Sequence, residues 1–143
     1  MKKFSVLFTV LIILSSLSLT SCKKKAKDNN EKEEDNLPEY YIKANIGGDD
    51  YIFENPTYSI AWNIVTVTGT KNNKTIEVSF TIFNQIQTLS YDDNGNFYED
   101  WQPSGSFSSD NTKYEGTFSG TVESRNNSST LEIKDGSLRV EKQ

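Results

Sequence analysis

The chain has 143 residues, one cysteine and no histidine, and carries 15 basic against 20 acidic side chains. Without histidine the commonest general base and zinc ligand are gone, neither a Ser-His-Asp triad nor a Cys-His pair can be built, and a lone cysteine makes no internal disulfide. From residue 37 onward the balance is 8 basic to 15 acidic, a net −7, and such a surface repels a phosphate backbone, so no nucleic-acid partner is expected.

The chain opens with Met1-Lys2-Lys3, followed by an almost continuously apolar run over residues 4–14 and alternating serine and leucine to Leu19. That run is short of the about 20 apolar residues of a permanent membrane span, so residues 1–21 read as a cleaved secretory signal peptide. Leu19-Thr20-Ser21-Cys22 resembles the lipobox of bacterial lipoproteins, an aliphatic residue and two small residues before a cysteine. The resemblance implies cleavage between Ser21 and Cys22, diacylglycerol and palmitate on Cys22, and a membrane partner reached through that anchor. Several acyl chains bury enough methylenes for stable anchoring.

Residues 23–36 (KKKAKDNNEKEEDN) hold five lysines, five acids and no aromatic or β-branched residue. Such a segment cannot build a core and is expected to be a disordered tether reaching about 20 Å as a coil. Lysine rather than aspartate at position 23 resembles lipoproteins sorted to the outer membrane. The mixed lysine and acid stretch resembles surface-export signals. The expected location is therefore the outer membrane, lipid-anchored and either facing the periplasm or displayed on the cell surface.

Residues 37–143 are read as one all-β domain. Ile42, Ala44 and Ile46 alternate with polar residues. So do Ile60, Trp62 and Ile64; Ile76, Val78, Phe80 and Ile82; and Tyr114, Gly116, Phe118, Gly120 and Val122. A period of two marks half-buried strands. Gly47-Gly48, Asn72-Asn73, Asn94-Gly95, Asp110-Asn111 and Asn126-Asn127 punctuate the pattern with residues that tolerate positive φ. These signals predict about eight antiparallel strands, at 40–46, 50–54, 58–68, 75–83, 86–91, 105–109, 113–123 and 130–140. The hairpins favour a single antiparallel meander, closed as a β-barrel or folded as a β-sandwich. Gly116 and Gly120 on an inward face invite a large neighbour, with Trp62 and Phe80 as candidates. The pattern Ile46-Gly47-Gly48-Asp49-Asp50-Tyr51-Ile52-Phe53, the Tyr-x-Gly-x-Phe-x-Gly strand from Tyr114 to Gly120, and the late Asp135-Gly136 step resemble a family of small, uncharacterised Gram-negative lipoproteins. That resemblance implies a β-rich fold and no known activity.

The most chemically suggestive stretch is 91–101, YDDNGNFYEDW. Asp92, Asp93, Asn94 and Asn96 offer oxygens to calcium, but the glycine comes too early for an EF-hand loop. Tyr98, Glu99, Asp100 and Trp101 combine aromatic faces with carboxylates, as a sugar site requires. The plainer reading of the stretch is a hairpin with an Asn-Gly turn and a polar tip. No nucleophile elbow occurs, because Ser104-Gly105-Ser106 lacks the G-x-S-x-G frame. No catalytic residue and no cofactor are expected. The leading expectation is a non-enzymatic binding or structural component of the envelope, with another envelope protein as partner. A surface glycan-binding module is the alternative, and a small carboxylate-based hydrolase the third reading.

Overall fold

The computed structural model describes residues 37–143. The expected signal peptide, the cleavage site at Ser21 and Cys22, the lipidation site and the tether all lie outside the described residues. Within them the chain is all-β, without a helix. Ten strands follow one another: β1 (Tyr41–Ile46), β2 (Asp49–Glu54), β3 (Thr57–Ala61), β4 (Ile64–Lys71), β5 (Lys74–Thr81), β6 (Ile86–Asp93), β7 (Asn96–Asp100), β8 (Ser104–Ser109), β9 (Lys113–Ser124) and β10 (Thr130–Glu141). All belong to one antiparallel sheet, in the order β2-β1-β10-β9-β7-β6-β5-β4-β3, with β8 paired to β9 beside β7.

Two departures from the expected eight strands have a local cause. The span 58–68 is broken by a two-residue turn at Trp62-Asn63, where both residues take positive φ (52° and 65°). Residues 96–100 form a further strand returning from the Asn94-Gly95 turn. The turn at Trp62-Asn63 also corrects the expected face. Ile60 pairs with Val65, so the inward set on β4 is Val65 and Val67, while Ile64 is left outside. Trp62 points to solvent and packs over no glycine. Ile82 likewise lies outside the core.

The sheet is neither a closed barrel nor two stacked sheets. It is open, and its edge strand β2 approaches β4, the neighbour of the other edge strand β3, through side chains. A Cβ added at Gly69 would stand 2.7 Å from Phe53 Cβ and 3.0 Å from Ile42 Cδ1, so glycine lets the two strands close together. Nearby, Lys71 Nζ donates to the Ile52 carbonyl at 3.0 Å. Curling wraps one face around the core of Ile42, Phe53, Val65, Ile76, Val78, Phe80, Leu89, Tyr91, Phe118, Val122, Ile133 and Leu138. Gly116 is covered by Phe107, whose ring stacks on Phe80 at 4.3 Å, so Phe80 reaches the glycine only through Phe107. In β10 the register shifts between Ile133 and Gly136, with Asp135 at φ 49°. The bulge moves the buried set from odd Ile133 to even Gly136, Leu138 and Val140.

Antiparallel pairing sorts the connections to two ends. The β1–β2, β4–β5, β6–β7 and β9–β10 turns share the upper end, where Asn94 N donates to Asn73 O at 3.1 Å. The start of β1, the end of β10, the β8–β9 turn, the β3–β4 turn and the β5–β6 loop share the lower end. There Lys142 N donates to Thr112 O at 2.7 Å, Asn55 N to Tyr40 O at 3.3 Å, and Ile82 N to Asn63 O at 2.9 Å.

Candidate functional site

The stretch 91–101 is the β6–β7 hairpin. Its turn is self-contained. Asp92 Oδ1 accepts from Gly95 N at 2.7 Å, and Asn96 Nδ2 donates to the Asp93 carbonyl at 3.3 Å. Asn94 supplies a turn residue at φ 54°. Asp93 Oδ1 is paired with Lys74 Nζ at 2.5 Å. That ammonium lies 5.7 Å and 5.9 Å from the ring centroids of Tyr51 and Tyr91, and its bond to Asp93 holds its pKa above the usual lysine range. Asp92 and Asp93 are neighbours on a strand and point to opposite faces, so their oxygens do not converge. Among the described residues no cluster of three or more carboxylate, cysteine or histidine side chains is arranged to hold a metal ion.

The second half of the hairpin divides by face. Tyr98 turns inward, packs against the core and sits 6.3 Å from the Tyr91 ring. Burial in turn raises the pKa of Tyr91. Asp100 is structural. Strand β9 changes partner from β8 to β7 near Thr121, which leaves a gap in the ladder. Asp100 fills it, Oδ2 accepting from Thr121 N at 3.1 Å and Oδ1 from Gln102 N at 2.8 Å. Its carboxylate occupies the space that a side chain on Gly120 would need.

Glu99 and Trp101 face outward together, away from Tyr98. Glu99 is mostly covered and ion-paired with Arg125, whose guanidinium stacks 5.0 Å from the Phe97 ring. Trp101 is 67% exposed. With Glu123, Ser124, Arg125 and Ser128 these two line an open recess of about 320 Å³. The structure thus assembles Glu99 and Trp101, adds Arg125 and Glu123, and separates Tyr98 and Asp100 from them. An exposed indole beside a paired carboxylate and guanidinium can stack on a sugar's C–H face and bond its hydroxyls.

Two surfaces escaped the sequence reading. The outer side of β8, β9 and β10 carries a larger recess, about 630 Å³, lined by Ser104, Ser106, Thr117, Ser119, Lys134, Asp135 and Ser137. The alternating serines at 104 and 106 are its trace in the sequence. The lower end carries exposed Trp62, Phe83 and Ile82. The signal there was the change of apolar parity from Ile60 to Val65 and Val67, which betrays a turn.

The sequence matches no family model and no curated protein.

Proposed function

We propose that the chain is a lipid-anchored component of the bacterial outer membrane whose β domain works by binding and not by catalysis. The observation that carries this is the division of the aromatic residues. The core is complete without Trp62, Phe83 and Trp101, which stand exposed on the surface. Large apolar side chains grouped outside a finished core, as Trp62, Ile82 and Phe83 are, mark interaction surfaces. Asp92, Asp93 and Asp100 are meanwhile committed to turn, ion-pair and ladder bonds, which supports a role other than acid–base chemistry. Metabolic labelling with palmitate tests the anchor. Wild-type protein should incorporate label and Cys22→Ala should not; an unlabelled wild type refutes the anchor.

A glycan-binding reading is favoured by one recess, that of Trp101 with Glu99 and Arg125. Trp101→Ala should abolish retention on a glycan array while leaving the melting temperature within about a degree, since its ring is not packed in the core. Unchanged retention removes this reading.

A further inference from the structure

The four two-residue hairpin turns of this domain all place both turn residues at positive φ. Three are built as that geometry favours, Gly47-Gly48, Asn72-Asn73 and Asn94-Gly95. The fourth is Trp62-Asn63. A bulky residue in the left-handed region is strained, and Trp62, 96% exposed, recovers nothing by burial. The fold therefore does not account for it.

Beside it, Ile82 N donates to Asn63 O at 2.9 Å. This bond joins the turn to the β5–β6 loop, in which Phe83 is 76% exposed. That loop is held by its own bonds. Thr81 N donates to Gln85 O at 2.8 Å, and Thr81 Oγ1 accepts from Phe83 N and Gln85 N. The result is an ordered tip presenting an indole, a phenyl ring and Ile82. Its two hairpins carry no charge at all over residues 55–70 and 78–91, in a domain of net −7.

Position then selects the occupant. The tip belongs to the end of the sheet at which the chain enters β1. It also projects past that end. Tyr58 Oη accepts from Gln143 N at 2.9 Å, and Trp62 lies four residues further along β3 and its turn. Only residues 23–36 separate Cys22 from Leu37. An anchor at Cys22 therefore delivers this end of the domain to the bilayer.

We infer that the tip formed by Trp62, Ile82 and Phe83 is a lipid-docking surface, inserting into the interfacial zone of the membrane that carries the anchor. Tryptophan on an uncharged hairpin suits that zone, where an amphipathic ring is both buried and wet, and Phe83 and Ile82 add apolar surface to bury beside it. The inference rests on the lipid-anchor reading for its orientation, and its test does not depend on that reading.

The core lies wholly within residues 42–140, so residues 22–143 fold without the leader. In this chain, with Trp101→Phe making Trp62 the sole indole, the single cysteine is coupled to a maleimide lipid in phosphatidylcholine vesicles. The tether then makes insertion intramolecular. Trp62 emission should shift to the blue, be quenched by brominated acyl chains and lose access to aqueous iodide. Phe83→Ser should weaken the quenching. In the reciprocal Trp62→Asn chain, Trp101 should stay water-exposed and unquenched. Trp62 emission that keeps its aqueous maximum and is not quenched by brominated lipid overturns the proposal. So does equal quenching of Trp101, which would mean that the domain lies on the surface without orientation. Retention on a glycan array lost with Trp62→Asn, without lipid quenching, assigns the tip to a sugar instead. Failure of palmitate labelling in cells would refute the natural anchor and leave these vesicle results standing.

Discussion

Replacing Trp62 by asparagine should stabilise the domain. Both residues of the β3–β4 turn have positive φ, 52° at Trp62 and 65° at Asn63. For an ordinary L-residue this conformation costs about 1–2 kcal/mol, whereas asparagine offsets part of that by bonding locally. The indole is 96% exposed, so its removal forfeits little apolar burial. The expected gain is about 1 kcal/mol. For a domain of this size that is a rise of about 4 °C in melting temperature. Glycine should gain less, because its freer unfolded chain returns roughly 0.5–1 kcal/mol. Alanine should gain nothing, since its Cβ meets the same clash. Calorimetry and urea titration on residues 37–143 give the order, asparagine above glycine above alanine and wild type. The urea slope should not change, because the surface exposed on unfolding does not. A lower melting temperature for Trp62→Asn would show that the indole is packed, and the reading of this turn would fall with it.

Phe118 is buried in β9 against Gly136, and Phe118→Ala should cost roughly 3–5 kcal/mol. Exposed Thr117→Ala should stay within about 0.5 kcal/mol; equal midpoints in urea would mean that the faces of β9 are misassigned. Gly136→Ala should cost about 1–3 kcal/mol or more by overpacking, because the new Cβ would stand 2.5 Å from the Phe118 ring and from its carbonyl oxygen. Thermal melts read this directly, and a neutral result would show that the β10 bulge can relax. Asp110 accepts from Thr112 N, Thr112 Oγ1 and Lys113 N at 2.7, 2.8 and 2.9 Å, and these bonds hold its pKa down, from 3.8 to about 2. A depressed folded pKa adds stability that is complete above the unfolded value and lost as pH falls through the folded one. Asp110→Ala should therefore melt below wild type at neutral pH, with the gap closing between about pH 4 and 2; a gap independent of pH would refute the role of the carboxylate.

What the sequence disclosed depended on how local each cause was. Ile42, Ala44 and Ile46, and Ile76, Val78 and Phe80, lie inward as their alternation required, because strand geometry alone sends alternate side chains to one face. Trp62 was misassigned for the same reason. A two-residue turn inserted into Ile60, Trp62 and Ile64 leaves the apolar spacing intact, and only Val65 and Val67 betray the change of face. The bulge at Asp135 likewise shifts parity with little more than an Asp-Gly step to announce it. The candidate site was half legible. Glu99 and Trp101 share an outer face because they are two residues apart, and Tyr98 and Asp100 are excluded by the same rule. Arg125 and Glu123 could not be foreseen, because they come from β9 and the turn that follows it. Their approach depends on β9 exchanging β8 for β7 as partner, a property of the whole sheet.

Under the proposed lipid docking, the lower tip would also reconcile the domain's charge with a nearby membrane. A domain of net −7 is repelled by anionic headgroups, and the expected tether, about 20 Å as a coil, would let it stand clear of them, so close docking needs an uncharged surface. Repulsion between exposed charges fades over about 8 Å at physiological ionic strength. Trp62 lies four residues beyond Tyr58, which is bonded to Gln143, and at about 3.3 Å per residue the hairpin carries the indole about 13 Å past that level. Were only the uncharged tip in the interface, Lys142 and the neighbouring charged end of β10 would stand more than one screening length from the headgroups. In the proposed docking, the length of the β3–β4 hairpin and its lack of charge would therefore act together. A shorter hairpin would bring the domain's own carboxylates to the surface, and a charged one would not enter it.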